Sequence, residues 1–137
     1  CSVNACVPVY GLYDLLDKNE AMKGGTEELQ SFLTRLVMPG PPSTHEQVWT
    51  LVSPINHIRA DAPPMLLLHG CHDALADFDS AQAFANSLDQ VSHNEVTFAA
   101  FMAGQHGYDC VHAGPTPEHV RAVHRFLKKV RGKVREI

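Results

Sequence analysis

Residues 65–73 read MLLLHGCHD, and this stretch decides the fold prediction. Its first four residues are apolar and lie between Pro64 and His69. A run of consecutive apolar residues is typical of a strand that is covered on both faces, as in a parallel sheet. The run leads directly into histidine, glycine, cysteine, histidine and aspartate. We therefore expect a buried strand whose carboxyl end carries reactive side chains.

Two further strands are predicted, one before and one after this stretch. SVNACVPV indicates a strand at about residues 3–9, and EVTFAAF indicates another at residues 95–101. Strands that alternate with helices are typical of an α/β fold with an open, mostly parallel sheet flanked by helices. Two helices are predicted at about residues 27–37 and 45–52, a third is capped by Asp79 or Ser80, and a fourth begins at Thr116. The predicted buried stripe of the fourth helix consists of Val120, Val123, Phe126, Leu127 and Val130.

The size of the chain suits one domain, since it has 137 residues. Hydrophobic residues make up 45% and charged residues 19%, which is ordinary for a globular protein. Three strands nevertheless make a small sheet for this architecture. We therefore expect residues 1–137 to be the C-terminal part of one larger α/β domain.

Charge and cysteine spacing narrow the function classes. The net charge of −4 argues against a nucleic-acid surface, which needs a basic face. The basic residues near the end, HRFLKKVRGKVREI, indicate a solvated helix face, with contact to an anionic partner as the alternative. The cysteines show no zinc-finger spacing, and free thiols or a disulfide stay open; they are Cys1, Cys6, Cys71 and Cys110.

Two reactive side chains follow two of the predicted strands. Asp73 comes three residues after Gly70, and His106 lies in the loop after residues 95–101. Ligands of open parallel sheets bind at the carboxyl ends of the strands, so we expect the two side chains to meet at one edge. An aspartate can hold an imidazole in one tautomer and stabilise its protonated form. An imidazole, with an unperturbed pKa of about 6.5, can then move a proton near neutral pH.

The segments SPINHI, PPMLLLHGCHDALADFDSAQAFANSL and AGQHGYD resemble, in this order, the C-terminal half of an α/β-hydrolase. The resemblance is to the carboxylesterase and prolyl-peptidase-like branch, including mycobacterial-type esterases. It implies that Asp73, in HG-x-x-D, is the triad acid and that His106, in G-x-H-G, is the triad base. It implies an ester substrate, either a small molecule or a lipid, and no cofactor. It also implies a cap-like helical segment at 18–52.

The sequence departs from the family pattern at the nucleophile. No serine here lies in a G-x-S-x-G elbow, and the HGGG-type oxyanion loop is absent. We expect both before residue 1, so that the isolated piece is inactive. A non-catalytic scaffold or binding module with a degenerate hydrolase fold is the alternative. Asp77 stands where many relatives have proline, and Asp77 or Asp79 is the alternative triad acid.

Other interpretations of these residues stay open. A metal site could use His69, His72, Asp73 and His106, because imidazole and carboxylate ligands suit zinc. Cys71 could be a nucleophile, although nothing like a strained elbow surrounds it. We expect Tyr108 to pack rather than to act in catalysis. One apolar stripe could line an acyl pocket or pack on the sheet; it consists of Leu29, Phe32, Leu33 and Leu36.

The predicted sheet also carries an expectation about partners. If the first strand lacks its neighbour, its free edge can pair with another chain. We therefore expect the isolated piece to form a homodimer through this edge, in addition to contacts with the missing N-terminal part of the same protein. The compartment of the parent stays open, because mycobacterial-type relatives include membrane- and envelope-associated proteins.

Overall fold

The computed structural model describes residues 3–18, 26–110 and 116–134. Two parallel strands, four α-helices and one 3-10 turn, Pro54–His57, form the described fold. In chain order the strands and α-helices are α1 (Thr26–Leu36), α2 (Pro42–Val52), β1 (Met65–Gly70), α3 (Phe78–Val91), β2 (Val96–Phe101) and α4 (Thr116–Val134).

β1 lies in the middle of the sheet. It pairs with β2 in parallel register from Met65 opposite Val96 to Gly70 opposite Phe101. On its other side it contacts residues 3–9, which also run parallel to it. The burial of β1 follows from this central place, and the predicted parallel α/β arrangement is confirmed.

The predicted strand at residues 3–9 is not a continuous strand. It makes two isolated parallel bridges to β1, Cys6 with Met65 and Val9 with Leu68. Pro8 lies between them and accepts a hydrogen bond from Leu68 N at 3.0 Å, but it has no N–H to donate to β1. The missing donor divides the ladder into two bridges, so the segment is extended and paired without being a regular strand.

The side chains of β1 alternate between two helices, as expected for a strand with period two. Leu67 packs in a core cluster with Phe84 and Leu88 of α3. Leu66 and Leu68 pack in a second cluster with residues of α4. Each fully buried leucine contributes about 1.5–3 kcal/mol to the free energy of unfolding. Burial of β1 on both faces therefore fixes α3 on one side of the sheet and α4 on the other.

The N-cap of α3 lies two to three residues before its predicted caps. Asp77 is the N-cap, and its Oδ1 accepts a hydrogen bond from Ser80 N at 2.8 Å. Asp79 and Ser80, the predicted caps, both lie inside the helix. An aspartate at this position satisfies a backbone N–H that has no partner within the helix. The side chain of Asp77 is therefore used in helix capping.

The apolar stripe of α1 is only partly buried, so the burial expected of a stripe that packs on the sheet is met by Leu29 alone. Leu29 is buried, but the exposed fractions of Phe32 and Leu36 are 47% and 63%. The stripe therefore does not pack on the rest of the fold along its length, and its role in an acyl pocket stays a prediction. Periodicity predicted the helix correctly, but it does not specify the partner surface.

The helix α2 begins at Pro42, three residues before its predicted start, and is kinked at His45, where φ is −133° and ψ is 32°. Trp49 anchors it, because its side chain is fully buried and its Nε1–H donates to Gly40 O at 3.0 Å. The hydroxyl of Ser53 donates to Trp49 O at 2.8 Å. These contacts close the helix against the loops at both of its ends.

The helix α4 buries a narrower stripe than its sequence predicts. Phe126 and Val130 are buried, whereas Val120 and Leu127 are exposed. Phe126 and Val130 cluster with Leu66 and Leu68 of β1, and Ala122 and Val123 are partly buried against this cluster. Within the described ranges, none of the helices combines the length and the apolar character needed to cross a membrane.

Candidate active site

The loops after β1 and β2 are joined by backbone hydrogen bonds at the carboxyl edge of the sheet. Cys71 N donates to Phe101 O at 2.9 Å, and His72 N donates to Gly104 O at 3.0 Å. Gly104 N in turn donates to Phe101 O at 2.9 Å. The parallel register therefore continues into the loops and brings residues 71–73 beside residues 102–106.

Two glycines allow this close approach. A Cβ on Gly70 would lie 2.3 Å from Gly104 O, and a Cβ on Gly104 would lie 2.9 Å from the Cα of Gly70. Backbone atoms cannot give way as a flexible side chain can, so any larger residue separates the two loops. The glycines of the HG-x-x-D and G-x-H-G motifs therefore pack against each other.

Asp73 and His106 meet at this edge, as the sequence predicts. His106 Nδ1 lies 3.0 Å from Asp73 Oδ2 and 3.2 Å from Oδ1. Because an ionised carboxylate can only accept, Nδ1 carries the proton and donates it. The side chain of Asp73 is 0% exposed, whereas that of His106 is 35% exposed. In the Asp73–His106 pair the carboxylate is thus shielded from solvent, and the imidazole is partly open to it.

The Asp73 carboxylate is fixed by the turn that follows it. Its Oδ1 accepts hydrogen bonds from Leu75 N at 2.9 Å and from Ala76 N at 2.7 Å. These backbone donors compensate the charge of a carboxylate that is otherwise removed from water. Together they leave Oδ2 directed at His106, which sets the orientation of the ring.

The loop that carries His106 turns sharply after it. Gly107 has φ of +69°, a left-handed conformation that glycine adopts without steric cost. Tyr108 then returns into the core, where its ring lies 5.4 Å from that of Phe101. Tyr108 is therefore a packing residue, as predicted, and burial raises the pKa of its phenol. Within the described residues, Nε2 of His106 has no hydrogen-bond partner, so its lone pair is available to a reacting group.

His69 is fully buried and takes a different part in the site. Its Nε2–H donates to Ala76 O at 2.8 Å, which closes the turn around Asp73. Its Nε2 lies 3.7 Å from Asp73 Oδ2, beyond hydrogen-bonding distance. In the described part of the chain no three His, Cys, Asp or Glu side chains are arranged to hold a metal ion. The geometry therefore does not bring His69, His72, Asp73 and His106 together as ligands.

The other reactive residues predicted from the sequence have contacts outside the Asp73–His106 pair. Asp77 caps α3, and Asp73 is the carboxylate that contacts His106. The Sγ of Cys71 lies 3.7 Å from Sδ of Met102. Cys6, Cys71 and Cys110 are free thiols, and Cys1 lies outside the described residues.

Tyr10 is a site residue that the sequence reasoning missed. Its ring lies against His106, with centroids 4.6 Å apart, and its hydroxyl donates to Asp109 Oδ1 at 3.0 Å. This hydrogen bond to the carboxylate, together with burial, raises the pKa of Tyr10 to about 12. The available signal was its position, because Tyr10 follows the predicted first strand at the same edge of the sheet as Asp73.

Comparison with known proteins identifies a family and several similar proteins. The family model BD-FAE matches residues 1–88. Two proteins of Mycobacterium tuberculosis are similar in sequence. The probable carboxylic ester hydrolase LipM is 35% identical over 93% of this chain, and the esterase LipC is 30% identical over 94%. The chain spans 29% of the length of LipM and 31% of that of LipC.

A solved structure shows the same fold. The butyrate-bound esterase Est2 of Thermogutta terrifontis superimposes with a TM-score of 0.69, at 22% identity, over 94% of this chain and 44% of that one. The parallel sheet flanked by helices is thus the architecture of an α/β-hydrolase. From the match over residues 1–88, this chain belongs to the BD-FAE family.

Proposed function

We propose that this chain supplies the acid and the base of a Ser-His-Asp triad in a serine carboxylesterase or lipase. Asp73 is the acid and His106 is the base. The hydrogen bond from His106 Nδ1 to the fully buried Asp73 carboxylate, at 3.0 Å, supports this assignment. Since the chain spans 29% of LipM, the hydrolysis is proposed for a longer parent protein that also contains the nucleophilic serine and the oxyanion hole.

The proposed mechanism follows from the two ring nitrogens of His106. Nε2 takes the proton of the serine hydroxyl while the serine oxygen attacks the ester carbonyl. Asp73, which already holds Nδ1–H, stabilises the imidazolium that forms. Nε2 then gives the proton to the departing alcohol, and a water molecule releases the acid from the acyl-enzyme by the same route. Side chains and backbone donors suffice for this chemistry, so the proposal includes no cofactor.

Three variants of the full-length parent test the assignment, with short p-nitrophenyl esters as substrates. We expect Asp73→Asn to lower kcat by about 10⁴-fold, because the imidazole loses its fixed tautomer. His106→Ala removes the base itself and should lower kcat by about 10⁶-fold. Asp77→Asn is the matched control. Asparagine is as good a helix cap as aspartate, so kcat should stay within about twofold.

The outcomes separate the alternatives. Normal turnover in Asp73→Asn, or loss of turnover in Asp77→Asn, would show that the acid is misassigned. A parent without turnover and without a serine in a G-x-S-x-G elbow would instead support the non-catalytic scaffold. The 137-residue chain alone has no serine in such an elbow, so we expect it to show no ester hydrolysis above buffer.

We also propose that the predicted cap-like segment, residues 18–52, lies over the substrate; residues 19–25 of this segment lie outside the described part of the chain. The exposed apolar side chains of Phe32 and Leu36 support this, since they offer a surface to an acyl chain. Phe32→Ser in the parent should raise KM for a long-chain ester while KM for an acetyl ester is unchanged. Equal KM changes for both esters would contradict a role in acyl binding.

A homodimer of the isolated chain is a further part of the proposal. Within the described residues, the backbone of residues 3–9 forms hydrogen bonds on one side only, toward β1. Its outer edge can pair with a second copy. Light scattering of the isolated chain at increasing concentration should show dimers, and a monomer at high concentration would contradict this proposal.

A further inference from the structure

The strongest feature outside the Asp73–His106 pair is the aromatic side chain on the other side of the imidazole. The ring of Tyr10 is tilted by 57° to that of His106, with centroids 4.6 Å apart. Tyr10 also lies 5.9 Å from the buried ring of Tyr108, edge to face. His106 therefore contacts the Asp73 carboxylate through Nδ1 and the ring of Tyr10 through its imidazole ring.

The hydroxyl of Tyr10 makes a separate contact with the loop that carries His106. It donates to Asp109 Oδ1 at 3.0 Å, across a sequence separation of 99 residues. The backbone of Tyr10 is fixed to the sheet, because its N–H donates to Leu68 O at 2.8 Å. One residue thus connects the end of the first extended segment, β1 and the His106 loop.

The backbone of Tyr10 is in a conformation that a tyrosine rarely adopts. Its φ is +39°, in the left-handed region, which is sterically unfavourable for a non-glycine residue. Such a conformation persists only where the surroundings hold it in place. Here the contacts with Leu68, His106 and Asp109 act together on one residue at the edge where the imidazole lies.

We infer that Tyr10 is a positioning residue for His106, whose ring packs against the imidazole and whose hydroxyl ties the His106 loop to the sheet through Asp109. The inference rests on the proposed function, because it assigns a role to the ring only if His106 is the base. The ring contact restricts rotation of the imidazole about its bond to the chain. The Tyr10–Asp109 hydrogen bond restricts movement of the loop itself.

The two contacts can be separated by substitution in the full-length parent. Tyr10→Leu removes the ring and the hydroxyl, and we expect kcat to fall at least about tenfold with KM unchanged, because a displaced base slows the chemical step. Tyr10→Phe keeps the ring and should restore kcat to within about fivefold of the wild type, the value of one lost hydrogen bond. This split between kcat and KM is not expected from a general loss of stability.

Tyr13→Phe is the matched control. Tyr13 is buried and stacks on Phe84 at 4.4 Å, and its hydroxyl has no hydrogen-bond partner in the described part of the chain. Its substitution should leave kcat unchanged. If Tyr10→Leu does not fold, Asp109→Ala tests the hydroxyl contact alone and should lower kcat to the same extent as Tyr10→Phe.

A second readout does not depend on activity. The proton on His106 Nδ1 should give a sharp low-field NMR signal in the wild type and in Tyr10→Phe, and a broadened one in Tyr10→Leu. If the wild type hydrolyses no ester, the proposed function fails, and this signal alone decides the role of Tyr10. Unchanged kcat and an unchanged signal in Tyr10→Leu, or raised KM at constant kcat, would overturn the inference.

Discussion

Two regions of this molecule use their side chains in different ways: the loops after β1 and β2, and the helical segment of α1 and α2. In the loops, the Asp73 carboxylate accepts hydrogen bonds from Leu75 N, Ala76 N and His106 Nδ1. In the helical segment, burial is concentrated at Leu29 and Trp49, and most of the other apolar side chains are exposed.

The difference shows what kind of information a short motif contains. The loop geometry needs only neighbouring residues and the parallel register, because glycine contacts and backbone hydrogen bonds fix it locally. The helices need a partner surface for their apolar stripes, and a periodic pattern does not specify one. The stability of the loops should therefore be sensitive to the addition of a single methyl group. The stability of each helix should depend mainly on its one buried side chain, Leu29 in α1 and Trp49 in α2.

The largest expected effect on stability is at Trp49, the buried anchor of α2. Trp49→Ala should lower the free energy of unfolding by about 3–5 kcal/mol, since a fully buried indole and its hydrogen bond to Gly40 are lost. Leu51→Ala, on the same helix but 67% exposed, should change it by less than about 0.5 kcal/mol. Denaturant unfolding measures both, and similar losses would contradict the single-anchor description.

The next effect is at the glycine contact between the loops. Gly70→Ala should lower the free energy of unfolding by about 1–3 kcal/mol, because its Cβ would lie 2.3 Å from Gly104 O. It should also lower kcat in the parent, since Asp73 and His106 move apart. Thermal unfolding and steady-state kinetics measure the two effects.

Gly132→Ala is the matched control for this substitution. Nothing lies within 4 Å of a Cβ at this position in α4, so alanine should stabilise the helix by up to about 1 kcal/mol. Destabilisation by both substitutions, or by neither, would show that the close approach of Gly70 and Gly104 is not what restricts these loops.

The smallest effect concerns Tyr10 at alkaline pH. Because the pKa of Tyr10 is raised from 10.0 to about 12, chiefly by its hydrogen bond to Asp109, the stability it contributes is complete below pH 10 and is lost as the pH rises toward 12. Asp109→Asn should lower the pKa of Tyr10 toward 10.0. Tyrosinate absorbance in an alkaline titration measures this, with Tyr10→Phe to identify the signal, and an unchanged titration would contradict the assigned cause.

The sequence was sufficient to predict the sheet, its parallel direction and the meeting of Asp73 with His106. These follow from an apolar run, from the alternation of strands with helices and from the rule that ligands bind where strands end at one edge. The division of residues 3–9 into two bridges was missed, although Pro8 was visible, because the broken ladder depends on which of its sides faces β1. Tyr10 was missed because its contact with residue 109 joins distant parts of the chain.

The extent of burial was the other feature that sequence could not supply. Val120 and Leu127 have the spacing of a buried stripe, yet they are exposed, whereas Phe126 and Val130 of the same helix are buried with Leu66 and Leu68. The cap of α3 was misplaced by two residues, at Asp79 instead of Asp77, because both are good cap residues. The helical conformation of a segment is thus determined locally, whereas the burial of its side chains depends on the neighbouring surface.

The most direct test of the proposed Asp73–His106 pair is to determine which ring nitrogen of His106 carries the proton. In the full-length parent, ¹⁵N NMR of the imidazole, at a pH where the ring is neutral, distinguishes a proton on Nδ1 from one on Nε2. The account predicts a proton held on Nδ1 by Asp73, and loss of this preference in Asp73→Leu. A proton on Nε2 in the wild type, or a tautomer that does not respond to Asp73→Leu, would contradict it.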